Sequence, residues 1–184
     1  MILTCIPYSE QKDLGRAYND HMELLPNDDD WCLFLDHDAK FTTRSWYPQI
    51  QHIINKNPEC GCFVAMTNRI GCEWQKYPWV SEDDHDQRYH HVIGRQIQDN
   101  DFDIVEDVSN VEKGKVLGGV LILLQKSLWK KIGGFVEGKI LGVDNDLHWR
   151  LMKKKEKVYL MKGVYVYHFY RADGLGKAHL LAKK

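Results

Sequence analysis

Two acidic residues close an apolar run in Leu33-Phe34-Leu35-Asp36-His37-Asp38. Alternate side chains of an extended segment share a side, so Asp36 and Asp38 can converge. Converging carboxylates repel unless a cation lies between them, and hard oxygen donors suit Mg²⁺ or Mn²⁺. A solvated turn is the competing reading of any Asp-x-Asp; the strand-like run in front argues for function. Far along the chain, Tyr165, Tyr167 and Phe169 alternate with Val166, His168 and Tyr170. Taken alone, His168 reads as a satisfied core histidine; with a carboxylate pair elsewhere it becomes a third candidate ligand. Asp144-Asn145-Asp146 opens a helical segment after Gly142. Asp144 could simply cap that helix, and Asp146 could pair with Arg150 four residues on. Residues i and i+2 of a helix point nearly opposite ways, so one of the two faces a cleft; Asp144, nearer the loop, is the candidate. Asn68 and Arg69 could hold phosphate or a sugar, against a surface ion pair as the alternative for Arg69.

These residues need elements to carry them. Apolar runs predict strands at residues 2–7, 31–35, 62–67, 115–124, 158–161 and 164–170. Helical spacing predicts helices at 14–25, 45–57, about 86–99, 127–132 and 144–155, with Pro48 tolerated in a first turn. Strands alternating with helices predict an α/β fold with a mostly parallel sheet. In such sheets ligands bind beyond the C-terminal strand ends. That rule singles out Pro7, Tyr8 and Ser9, then Asp36 to Asp38, then Thr67 to Arg69, and the loops near Asp144 and His168. Residues 68–103 are polar, aromatic and His-rich. The part from Gly71 to His91 holds Trp74, Tyr77, Trp79 and Tyr89 and reads as a substrate lid or as a satellite core under a long loop. Gly118 and Gly119 interrupt the strongest strand, either for close substrate approach or to relieve packing.

The 184 residues suit one domain at 1–171 with a flexible tail at 172–184. Twenty-five basic residues against 26 acidic ones lack the basic surplus of a generic nucleic-acid coat. No apolar run approaches the ~20 residues of a membrane span, and the N-terminus does not read as a signal peptide. A cytoplasmic protein is the expectation. The five cysteines are odd in number, so reduced thiols are expected. Cys60, Cys62 and Cys72 have the wrong spacing for a zinc knuckle.

Several of these segments together resemble a known family. Ile6-Pro7-Tyr8-Ser9 followed by the Asp36-His37-Asp38 run looks like the opening strand and metal-binding DxD of GT-A glycosyltransferases. Gly133-Gly134-Phe135, then Gly142-Val143-Asp144-Asn145-Asp146-Leu147 with Arg150, resemble the later part of family 2 enzymes, where a helix begins Glu-Asp-x-Asp-Leu-x-x-Arg. Tyr165-Val166-Tyr167-His168 resembles that family's closing strand with its metal-binding His. The resemblance covers most of residues 2–170. Two departures stand out. About 28 residues separate Pro7 from Asp36, where common GT-A enzymes insert two further strand–helix units, and Val143 replaces a frequent Glu.

The resemblance implies a GT-A, Rossmann-like fold with a shortened nucleotide-binding half. It implies a hexosyltransferase-like enzyme that moves a sugar from a nucleotide-sugar, a UDP-sugar in preference, to a glycan or other hydroxyl acceptor with inversion. Asp36, Asp38 and His168 would hold Mn²⁺ or Mg²⁺ on the donor diphosphate. Asp144 would be the general base, and Pro7, Tyr8 and Ser9 would line the nucleotide pocket. A metal-dependent nucleotidyltransferase, a nucleotide-sugar hydrolase and a non-catalytic nucleotide- or sugar-binding domain are the competing readings.

Overall fold

The computed structural model describes residues 1–112 and 116–169. Its elements are, in order, β1 (Ile2–Cys5), α1 (Leu14–Glu23), β2 (Trp31–Leu35), β3 (Ala39–Phe41), α2 (Trp46–Lys56), β4 (Cys62–Thr67), α3 (Gln87–Asp101), β5 (Val105–Asp107), β6 (Leu121–Gln125), α4 (Lys126–Ile132), α5 (Val143–Lys153) and β7 (Tyr159–His168). Local chemistry sets several boundaries. Asp13 and Asp86 accept the Arg16 and Arg88 backbone N–H groups and so cap α1 and α3. Gly133, with φ of 83°, ends α4, and Gly142, with φ of 75°, precedes α5.

Every residue of β2 and β4 is buried, as in strands covered on both faces. The alternation of side chains divides the core accordingly. Cys32, Phe34 and Val64 face α1, α4 and α5, represented by Met22, Leu128 and Leu147. Leu33, Phe63 and Ala65 face α2 through Ile50 and Ile53. The molecule is therefore α/β, an open sheet with helices on both faces.

The seven strands run in the order β1-β2-β6-β4-β7-β3, with β5 also paired to β7. The expectation of a mostly parallel sheet is corrected here, because the sheet is mixed. β1–β2 and β4–β7 are parallel, whereas β6 is antiparallel to both β2 and β4, and β3 and β5 are antiparallel to β7. Apolar patterning has no direction, so a buried run reads the same whichever way it points. β3 and β5 are three residues each, too short to show a period of two. The run expected at 115–124 becomes a strand only from Leu121, and the two closing strands are one continuous β7.

The relation among directions positions the site. β1, β2, β4 and β7 all point the same way, so Asp36, Asn68, Arg69 and His168 lie at one edge of the sheet with the entry to β6. Among the described residues no helix is long and apolar enough to cross a membrane. The expected tail at 172–184 lies outside the described residues, as do Lys115, Tyr170 and Arg171.

Candidate metal centre and adjoining cavity

β2 stops at Leu35, and the Asp36 N–H is taken by the Val120 carbonyl at 3.0 Å. The chain then turns tightly, with Ala39 N–H donating to the Asp36 carbonyl at 3.0 Å. β3 pairs with β7 so that Ala39 lies opposite His168, and Phe169 N–H donates to the Asp38 carbonyl at 2.9 Å. That register brings Asp38 to His168 across 130 positions of sequence. His168 Nε2 is 3.1 Å from Asp38 Oδ1 and 3.8 Å from Asp36 Oδ2. One ligand atom from each of the three residues falls within 4.8 Å of the others, the one such group among the described residues.

The imidazole is oriented from behind. Its Nδ1 donates to the Arg69 carbonyl at 2.7 Å, which turns Nε2 toward the two carboxylates. With Nδ1 carrying a hydrogen, a neutral ring presents a lone pair to carboxylate oxygens. A proton on Nε2 makes that contact a hydrogen bond to Asp38, and a metal ion could take the same space. Two hard oxygens and one nitrogen suit Mn²⁺ or Mg²⁺ and leave coordination positions for substrate oxygens. The donor set therefore fits a divalent cation.

The two carboxylates differ. Burial, with the neighbouring charges of Asp38 and Asp144, pushes Asp36 up to about 6 against the opposing pull of His168 and His37. Burial also acts to raise Asp38, but the His168 hydrogen bond and the charges of His168 and His37 hold it below the usual range.

Asn68 is 1% exposed and works as a clasp. Its Oδ1 accepts from His168 N–H at 2.8 Å and its Nδ2 donates to the His168 carbonyl at 3.2 Å, fixing the end of β7 to the end of β4. Its amide faces the protein backbone here. Arg69 gives its carbonyl to His168, and its guanidinium lies 3.9 Å from Glu82 and 3.6 Å from Asp83, the surface ion pairing weighed above.

Asp144 lies in the first turn of α5, which starts at Val143 after Gly142 rather than at an Asp144 cap. Its Oδ1 accepts the Asn145 N–H at 2.8 Å, and its carboxylate also accepts from Gly119 N–H. Burial raises its pKa, with those backbone bonds opposing. Asp146 instead pairs with Arg150 at 2.6 Å. Asp144 and Asp36 share a cavity of about 330 Å³, closed also by Tyr18, Gly119, Leu141 and Asn145. Two roomier hollows lie elsewhere. One, of about 610 Å³, sits between the N-terminus of α2 and α3; the other, of about 590 Å³, runs along Tyr8, Ser9 and α1. The smaller cavity is where the acidic groups meet. Tyr8 is thus exposed beside a neighbouring hollow, and Ser9 Oγ accepts the Asp13 N–H at 2.9 Å.

The segment before β6 proves to be a built part of this wall. Gln75 Oε1 accepts Gly118 N–H at 2.6 Å, and His148 Nδ1 accepts Leu117 N–H at 2.9 Å. A Cβ on Gly118 would lie 2.2 Å from Ile70 Cδ1, and one on Gly119 would lie 3.3 Å from the Asp144 carboxylate. Gly118 therefore serves packing, and Gly119 serves the approach to Asp144. Gln75, His148 and Tyr18 carry no motif; only their burial in the fold distinguishes them. The long loop is mainly satellite core. Trp74 and Tyr77 pack on the main core, His90 is buried against the Tyr165 hydroxyl at 2.8 Å, and Trp79 stands 81% exposed.

The cysteines are all free thiols and buried. Cys62 faces one core and Cys60 and Cys72 the other. Burial pushes Cys60 up to about 12 and Cys72 up to about 11, which favours thiols over metal-binding thiolates.

No family model matches this chain, and no curated protein matches it.

Proposed function

We propose that the protein is a metal-dependent glycosyltransferase of GT-A type, with a shortened nucleotide-binding half, that transfers a hexose from a nucleotide-sugar, by preference a UDP-sugar, to a hydroxyl acceptor with inversion. The observation that carries this reading is the convergence of Asp36, Asp38 and His168 at the strand ends, with Asp36 sharing a cavity with a half-buried Asp144. The motif order of the sequence supports the same reading.

Asp36, Asp38 and His168 would hold Mn²⁺ or Mg²⁺. When bound there, the cation supplies positive charge that offsets the charge gained by a departing nucleoside diphosphate. The chain's own residues do the rest. The Arg69 carbonyl fixes the His168 ring, and Asn68 the backbone that carries it, before any ligand arrives, so little reorganisation remains at reaction. Asp144, raised by burial, is a stronger base than an exposed carboxylate. It would take the proton of an acceptor hydroxyl as that oxygen attacks the anomeric carbon. The Asn145 N–H donates to the Asp144 carboxylate at 2.8 Å, and Asp144 and Gly119 both line the cavity. Pro7, Tyr8 and Ser9, at the end of β1, are the candidates for nucleotide contact.

The test is a product assay. Incubation with Mn²⁺ and a panel of nucleotide-sugars, with and without candidate acceptors, should release nucleoside diphosphate and form an acceptor-dependent glycoside. Pyrophosphate release would indicate a nucleotidyltransferase. Acceptor-independent release of free sugar would indicate a hydrolase, and binding without turnover a binding module.

A further inference from the structure

Tyr18, on α1, has a property the proposed mechanism does not yet use. Its ring is buried, at 3% exposure for the residue, and no hydrogen bond to its hydroxyl forms among the described residues. The oxygen is not among the buried atoms left without a partner, so it is open to the cavity that Tyr18 lines and to whatever fills that space. The ring is held firmly. Phe34 meets it edge-on at 4.5 Å, and Phe135 stacks on it at 4.6 Å. Its one polar atom is thus fixed on the wall of the cavity that also holds Asp36 and Asp144.

We infer that Tyr18 is a sugar-reading residue: its hydroxyl donates a hydrogen bond to a ring hydroxyl of the transferred hexose, which occupies the cavity between Asp36 and Asp144. This rests on the glycosyltransferase reading and deepens it. Asp36 belongs both to the candidate metal centre and to this cavity, so a sugar joined to a diphosphate held at Asp36 and Asp38 enters here. Asp144, on another wall, is then within the same space as the anomeric carbon. The donor and acceptor inventory also matches. A sugar hydroxyl both gives and takes hydrogen bonds. The two carboxylates accept, and Tyr18 supplies the donor they lack. Burial, followed by the charges of Asp36 and Asp144, pushes the phenol pKa upward, so the proton stays on the oxygen. Leu14, Ile140 and Leu141 add an apolar rim to these polar groups.

The test compares Tyr18→Phe with the wild type. Phenylalanine keeps both ring contacts and removes only the oxygen, so thermal unfolding of the variant should match the wild type. Affinities for UDP and for each of a panel of UDP-hexoses are measured by calorimetry with Mn²⁺. The expected result is unchanged affinity for UDP and a loss on the order of tenfold in affinity for the preferred UDP-hexose. The ratio between the two ligands is a readout that a merely structural role would not move. An unchanged ratio in Tyr18→Phe, alongside discrimination by the wild type, overturns the role of Tyr18 and leaves the glycosyltransferase reading standing. Failure of the wild type to bind any nucleotide-sugar with Mn²⁺ overturns both. If Tyr18→Phe proves unstable, the wild type is titrated with UDP-hexoses that each lack one hydroxyl; a loss confined to one of them supports the inference, and equal affinity for every deoxy donor and its parent overturns it.

Discussion

At the scale of single residues, the candidate site holds carboxylates of similar chemistry in different surroundings. Asp38 touches His168, which holds its pKa low; Asp144 is half-buried with backbone donors for company. Replacing them should have separable effects. Asp38→Ala should weaken Mn²⁺-dependent nucleotide binding by at least about tenfold, on the scale at which even the outer partners of metal ligands act. Asp144→Asn should leave that binding intact and lower turnover by about 10²–10⁴-fold, the usual contribution of a general base. Calorimetry and a product assay on the two variants check the pair; equal effects on binding would reject the division. Asn68 belongs at this scale as well. Asn68→Ala leaves the His168 N–H without its acceptor, so a stability loss of about 1–3 kcal/mol is expected by urea denaturation. A fall in Mn²⁺ affinity of about 10–100-fold should accompany it. Asp36, Asp38 and His168 are legible in the sequence because strand ends bearing ligand-type side chains stand out against apolar runs. The clasp made by Asn68 is not, since both its partners are backbone groups 100 positions away.

At the scale of elements, close approaches decide where helices sit. Gly15 lies in α1, where alanine would be intrinsically favoured by about 1 kcal/mol. Yet a Cβ there would fall 1.8 Å from the Val136 carbonyl oxygen. Gly15→Ala should therefore destabilise the protein, opposite to helix propensity, and a lowered denaturation midpoint would register it. The same contact sets α1, and with it Tyr18, against the 133–142 segment that leads into α5. Asn19 reinforces it by accepting from Phe135 N–H at 2.7 Å and from Trp129 Nε1 at 2.9 Å. His148 in α5 ties two loops together, accepting from Leu117 N–H and donating through Nε2 to the Val108 carbonyl at 3.1 Å. That pattern requires a neutral ring, and burial holds its pKa below the ordinary histidine value. The unfolded chain takes up a proton near pH ~6.5 while the folded one does not. The His148 share of stability should thus fall as pH drops below about 6.5, opposed by Asp36, whose raised pKa makes the folded state the one that takes up a proton, and His148→Leu should remove that fall although it is less stable throughout. Urea denaturation at about pH 7.5 and about pH 5.5 reads both. Helix positions were accessible from apolar spacing, and β2 and β4 from their unbroken apolar runs. Strand direction was not, because β6 differs from its neighbours only in how the chain enters and leaves it.

At the scale of the whole molecule, stability comes from a core divided by one sheet and from no covalent bridge. All five cysteines are free thiols, with Cys5 and Cys32 sulfurs 3.4 Å apart in the core. Thermal unfolding should be unchanged by a reducing agent. Mn²⁺ together with the cognate nucleotide should raise the midpoint, by about 2.7 kcal/mol of added stability at a hundredfold excess over Kd. A scan with each additive separately checks both statements.

The ten-residue strand β7 receives β4, β3 and β5 as hydrogen-bonded neighbours, and every one of them precedes it in the chain. β4 also pairs with β6, but among the described residues β3 and β5 pair with β7 alone, so in a nascent chain they lack a strand partner until Tyr159 to His168 is made. The imidazole reaches the acidic pair in the same event that seals the sheet. A polypeptide ending before Tyr159 would leave β3 and β5 without a strand partner and one edge of β4 open, an aggregation-prone state.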